Sequence, residues 1–159
     1  MEHTGGCHCG NIAITFSTKI APDRIRPVAC QCAFCRKHNV LAVADPEGHL
    51  EIRIGDKAEV NRYRFGLGTA EYLICRICGV YVAAITVDEP ERALVVVNSL
   101  DSRDSFTADP VAANYDNETE AERRARRRKS WTPVTLDWQA TTGSRSANLL
   151  RVTEGNSPK

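Results

Sequence analysis

All seven cysteines of this chain fall into three short clusters, and nothing else in the sequence limits the fold as tightly. The clusters are Cys7-His8-Cys9, Cys30-Gln31-Cys32-Ala33-Phe34-Cys35 and Cys75-Arg76-Ile77-Cys78-Gly79. An odd number of thiols cannot all close into internal disulfides. The N-terminus, Met1 to Gly6, has neither a basic start nor an apolar stretch and does not read as a secretory signal. Close-set cysteines without such a signal point to metal ligation in a reduced, cytoplasmic setting.

Spacing says how each cluster can work. Cys75-x-x-Cys78 puts two thiols on one tight turn, and Gly79 is free to take the positive φ that aims backbone N–H groups at the sulfurs. Cys32-x-x-Cys35 has the same spacing without the glycine. In Cys7-x-Cys9 and Cys30-x-Cys32, residues i and i+2 of an extended chain face one side, so both sulfurs reach a single ion. Soft thiolates select zinc, and four of them close a tetrahedral site. Two partitions are compatible with the spacing. Cys32, Cys35, Cys75 and Cys78 could form one site of two knuckles, leaving Cys7, Cys9 and Cys30. Alternatively, Cys7, Cys9, Cys75 and Cys78 close one site while Cys30, Cys32 and Cys35 share the other; the contiguity of the last three favours this arrangement. Either way two zinc ions per chain are expected, one held by four thiolates and one by three.

The remaining sequence reads as an all-β domain. At 159 residues the chain is long enough for a core of its own, and a net charge of +1 gives no global attraction to nucleic acid or membrane. No apolar run approaches the ~18 residues of a membrane-spanning helix. Ile12, Ile14 and Phe16 alternate with polar or small residues, as do Leu50, Ile52 and Ile54, predicting half-buried strands. Further strands are expected at 28–30, 40–44, 60–65, 71–74, 80–87 and 93–97, with turns at Asp45-Pro46-Glu47-Gly48 and Gly66-Leu67-Gly68. A short helical turn is expected over Arg36 to Asn39. Residues 117–129 predict a helix capped by Asn117 with Glu120, with acids first and bases last. Glu120–Arg124 and Glu122–Arg126 are spaced as i,i+4 pairs. Trp131 is expected to pack the helix end onto a final strand at 134–138. One domain over 1–138, followed by a loose tail at 139–159 in which Leu149-Leu150 could dock, completes the expectation.

Arg123, Arg124, Arg126, Arg127, Arg128 and Lys129 form the one basic run. Wrapped on a helix just behind acids, they read as a salt-bridged, solvated face, with a nucleic-acid or acidic-partner patch at 123–129 as the rival. No aromatics interleave to support stacking on single strands. His3, His8 and His49 read as surface residues. A histidine recruited from His8, His38 or His49 would close the three-thiol site and make it structural.

The motif series Gly6-Cys7-His8-Cys9-Gly10, Cys30-x-Cys32-x-x-Cys35-Arg36-Lys37 and Cys75-x-x-Cys78-Gly79-Val80 resembles the glutathione-dependent formaldehyde-activating enzyme family, which includes centromere protein V. Val97-Asn98-Ser99-Leu100-Asp101 is similar to that family's Asn-x-x-Leu-Asp segment. The likeness runs from Gly6 to Asp101 and extends toward Trp131-Thr132-Pro133. It implies a mainly β fold of several small coiled sheets around a structural zinc, shared with the zinc-binding chaperone of Rab GTPases, plus one C-terminal helix. It implies that Cys7, Cys9, Cys75 and Cys78 hold that structural zinc and that Cys30, Cys32 and Cys35 hold a catalytic one. The implied reaction is carbon–sulfur lysis, interconverting glutathione and formaldehyde with S-hydroxymethylglutathione. Arg36 and Lys37, next to the three-thiol site, would offset its net negative charge or bind the carboxylates of glutathione, and His38 would shuttle a proton. Relatives often carry histidine beside the last Cys-x-x-Cys, where this chain has Tyr72 and Tyr81. Two classes of function follow: a lyase for thiol–aldehyde adducts with an open zinc position, or a binding module with both metals structural.

Overall fold

Alternation of apolar and polar residues builds the first layer of the protein. In the computed structural model, which describes residues 1–138, the elements are β1 (Glu2–Gly6), β2 (Ile12–Ser17), β3 (Val28–Cys30), α1 (Ala33–Lys37), β4 (Ala42–Val43), β5 (His49–Ile54), β6 (Val60–Tyr63), β7 (Ala70–Cys75), β8 (Tyr81–Thr86), β9 (Arg92–Val96), β10 (Val111–Ala113), α2 (Glu120–Ser130) and β11 (Thr132–Trp138). Ile12, Ile14 and Phe16 of β2 lie opposite Ile54, Ile52 and Leu50 of β5 in an antiparallel register. All six are buried, each contributing roughly 1.5–3 kcal/mol of hydrophobic stabilisation.

The strands join into one branched network whose fork is β9. One edge of β9 carries β8, followed by β7 and β6. The other edge is divided: Val95 and Val96 pair with β4, while Arg92 and Ala93 pair with Thr132 and Pro133. From β4 the chain continues to β3 and its parallel partner β10. From Pro133, β11 swings across to run parallel to β5, which ties in β2 and β1. The split lets the sheet coil instead of lying flat. All six residues of β8 are buried because both its faces are covered. Val82, Ala83 and Ile85 belong to the main core with Phe16, Ile52 and Leu73, whereas Tyr81 and Ala84 face a smaller cluster with Cys35, Val40, Val96 and Trp131. The helices and the second cysteine cluster gather at this smaller cluster.

The mainly β fold and the C-terminal helix match expectation, and four details differ. Strand β1 forms across the Gly5-Gly6 pair, which local propensity disfavours; a Cβ on Gly5 would lie 2.1 Å from the Ser99 carbonyl oxygen, so only glycine admits this approach. Strand β10 exists through its long-range pairing with β3. Helix α1 begins three residues earlier than expected because Cys32 caps it, its sulfur accepting the Cys35 N–H at 3.4 Å. Helix α2 is capped by Thr119 rather than Asn117. The Thr119 hydroxyl accepts from the Glu122 N–H and the Glu122 carboxylate accepts from the Thr119 N–H, a reciprocal box that fixes the first turn. Glu122 is therefore committed to the cap, and Arg126 pairs with Glu118 instead. The tail at 139–159 lies outside the described residues. Among the described residues no helix is long and apolar enough to cross a membrane.

Candidate metal centres and active site

The first centre sits where two hairpins meet. Cys7 and Cys9 lie in the β1–β2 turn, Cys75 ends β7 and Cys78 lies in the β7–β8 turn, and their four sulfurs all lie within 4.8 Å of one another. The Cys7–Cys9 and Cys9–Cys75 sulfur separations are 3.6 and 3.4 Å. Four zinc–sulfur bonds of ~2.3 Å in a tetrahedron set sulfurs about 3.8 Å apart, so the donor set fits that ion. Gly79 takes φ +76°, the left-handed turn expected behind Cys78. Backbone N–H groups then converge on the sulfurs: Ile12 on Cys7 at 3.2 Å, Ile77 and Cys78 on Cys75, Val80 and Cys9 on Cys78. Burial pushes the Cys75 thiol up to about 12. Burial acts upward on Cys78 too, but its N–H donors and the neighbouring thiols bring it down to about 6.

The second centre gathers Cys30 from the end of β3, Cys32 from the cap of α1 and Cys35 from α1 itself, again with sulfurs within 4.8 Å. Pairing of Ala113 with Cys30 and a Gln31 N–H to Ala113 carbonyl bond of 2.9 Å hold the first ligand in place. The Cys35 thiol donates to Cys30 and, outweighing burial, draws its pKa down to about 6 with help from the Cys32 N–H. Cys35 rises correspondingly. Among the described residues no histidine or carboxylate joins these three sulfurs at that distance. His8 is exposed in the turn between Cys7 and Cys9, and His49 bonds Thr135 at 3.2 Å. His38 is exposed at the end of α1 with its ring 4.5 Å from Phe34 and 5.7 Å from Tyr81. His3, read from sequence as a surface residue, is buried between Phe16 and Phe106, with Nδ1 2.8 Å from the Ser102 hydroxyl.

Cys30 and Cys35 open onto a cavity of about 370 Å³. Val40, Ala42, Leu94 and Trp131 give it an apolar wall, and Tyr72 and Tyr81 stand beside the sulfurs. Burial pushes the Tyr72 hydroxyl up to about 12 and raises Tyr81 well above the ordinary tyrosine value, so both stay protonated at neutral pH. Phe34, between the ligands, packs its ring against both tyrosines and against Tyr63 and Phe65. Three arginines line the cavity: Arg26, Arg126 and Arg127. Arg36 and Lys37 are exposed on α1 and take no part in the lining.

The basic run of α2 is therefore part of this site. Arg126 is held by the Glu118 carboxylate at 2.6 and 3.0 Å and stacks on Tyr115. Arg123 also reaches Glu118, and Arg124 pairs with Glu120 and Asp88. Arg127 is buried, donates from Nη1 to the Thr69 hydroxyl at 2.6 Å, and lies 4.7 Å over the Trp131 ring. Arg128 and Lys129 remain exposed. Sequence reading placed Trp131 as an anchor but missed the arginines behind it, because no local pattern encodes which sheet face a helix covers.

Comparison with known proteins bears on both centres. A crystal structure of a Rhodobacter sphaeroides protein, a structural-genomics target, is 28% identical and covers 68% of this chain and 99% of its own, with a TM-score of 0.52. The family model of the glutathione-dependent formaldehyde-activating enzyme matches residues 2–117, a span that contains both cysteine centres and stops short of α2. With both centres assembled inside that span, the chain belongs to the glutathione-dependent formaldehyde-activating enzyme family.

Proposed function

We propose that this protein is a zinc-dependent carbon–sulfur lyase for thiol–aldehyde adducts, of the type that interconverts glutathione and formaldehyde with S-hydroxymethylglutathione. The observation that carries the reading is the difference in donor number between the two centres: four sulfurs gather in the quartet, whereas the second centre has three, of which Cys30 and Cys35 line the cavity of apolar and tyrosine side chains. On this reading Cys7, Cys9, Cys75 and Cys78 hold a structural zinc, and Cys30, Cys32 and Cys35 hold the catalytic one. Zinc held by these three thiolates would supply Lewis-acid chemistry and favour the thiolate form of a bound thiol.

The chain's own residues supply the rest. The apolar wall of Val40, Ala42, Leu94 and Trp131 keeps bulk water from the reacting atoms. Tyr72 and Tyr81, protonated at neutral pH, are donors for the aldehyde oxygen as negative charge develops there. In synthesis the substrate sulfur bonds to the carbonyl carbon and the oxygen gains a proton. In lysis the carbon–sulfur bond breaks, its electron pair stays on sulfur and the hydroxyl proton departs. Arg26, Arg126 and Arg127 place positive charge at the wall of the same cavity. They displace the exposed Arg36 and Lys37 as the proposed groups for substrate charge, and His38 stays a candidate proton carrier at the edge of the aromatic cluster. Seven free thiols suit a reducing compartment, so the cytoplasm is the proposed location.

Exchange of carbon-13 formaldehyde with glutathione, followed by NMR, tests the activity. Zinc-loaded protein at micromolar concentration is expected to speed the interconversion well above the buffer rate, and prior chelation to abolish the gain. An exchange rate equal to that of buffer would refute the lyase assignment.

A further inference from the structure

Among the described residues the buried guanidinium of Arg127 has no carboxylate partner and its Nε has no hydrogen-bond partner. Its side chain lines the cavity beside Cys30 and Cys35, and the residue is 6% exposed. Of its five N–H donors, the Nη1 bond to Thr69 occupies one. An arginine in such a place costs stability unless a charge or an acceptor meets it. Its neighbour shows the contrast: Arg126, on the same wall, is clamped by Glu118 through two bonds. Arg127 is also held still, with Thr69 fixing one end and Trp131 lying against its plane, so its fork is already oriented for a planar oxyanion.

We propose that Arg127 is the residue of this cavity that receives the carboxylate of the thiol substrate, with Arg26 adding positive charge at the wall. This rests on the reading of the three-cysteine centre as a thiol site. The thiol sulfur meets the cysteine centre while the carboxylate accepts from the free guanidinium N–H groups. Helix α2 lies beyond the residues 2–117 that match the family, so this chain provides the subsite from its own C-terminal segment. The aldehyde needs no such contact, and the tyrosines remain free for it.

The test compares 3-mercaptopropionate with its methyl ester as ligands of the zinc-loaded full chain, by titration calorimetry. Wild-type protein is expected to bind the acid at least about tenfold more tightly than the ester, the value of one charge-assisted fork. Arg127→Gln is expected to weaken the acid by about 10- to 100-fold and to leave the ester within about threefold, with Arg127→Lys in between. Because a variant at a buried arginine can fail to fold, the wild-type ratio alone decides: equal affinity for acid and ester overturns the subsite. Equal weakening of both ligands by Arg127→Gln also overturns it and makes the residue a counter-charge for the cysteines. If neither thiol binds, the reading of the centre as a thiol site falls first, and the subsite with it.

Discussion

Cys75→Ala is expected to unfold the protein. Cys75 is fully buried at the junction of the two hairpins, where Cys7 and Cys9 from one meet Cys78 from the other. The substitution takes away a quarter of the donor set and also trims the main core, to which Cys75 belongs with Cys7, Ile12, Leu73 and Val82. A structural zinc supplies on the order of 10 kcal/mol of folding free energy in small metallo-domains. A single domain has a net stability of only about 5–15 kcal/mol, so loss of this ion removes most of it. Circular dichroism melts and metal analysis by mass spectrometry check the point. The variant should lose one equivalent of zinc and its cooperative transition together. A sharp melt within a few degrees of wild type would exclude a structural metal at the quartet.

Cys30→Ala is expected to do the opposite: to keep the fold and lose the reaction. Cys30 ends a three-residue strand and is only half-buried, and its centre touches the smaller cluster of Val40, Tyr81 and Trp131 rather than the main core. The main core of β2, β5, β7 and β8 does not depend on it. Removing one of three ligands should release the second zinc equivalent and lower the turnover of the thiol–aldehyde adduct by about 10³-fold or more, the several kcal/mol that metal stabilisation of a transition state contributes. The melting temperature should stay within a few degrees. A Cys30→Ala protein that retains activity would show that the three-cysteine centre is not where the chemistry happens. The two variants together separate a metal that builds the fold from one that works on a substrate.

The part of this arrangement that could be read from sequence is the part encoded locally. Contiguity grouped Cys30, Cys32 and Cys35, and the structure brings those three sulfurs together. Alternation marked β2 and β5, and the turn at Asp45-Pro46-Glu47-Gly48 separated β4 from β5. What escaped was settled by partners far away in the chain. Strand β1 was not among the expected strands; Gly5 and Gly6 allow it to approach Ser99 and Ile12. Helix α1 was misplaced because a cysteine is not an ordinary helix cap; Cys32 serves as one because its sulfur already faces the Cys35 N–H. For α2 the sequence contains two cap-to-glutamate spacings two residues apart, Asn117 with Glu120 and Thr119 with Glu122, and the second forms. The largest gap concerned the basic run. As a local pattern it describes a solvated helix, and only the packing of Trp131 and Arg127 against the smaller cluster turns that helix toward the cysteines.

Cobalt exchanged into the protein offers the most direct measurement, because thiolate-to-cobalt absorption reports coordination itself. Titration with glutathione is expected to add a thiolate band that the oxygen analogue of glutathione, with serine in place of cysteine, does not produce, and Cys32→Ala is expected to abolish that band while leaving the quartet's spectrum unchanged. A spectrum that stays that of closed tetrahedral sites at millimolar glutathione would contradict an open three-cysteine centre and leave both metals structural.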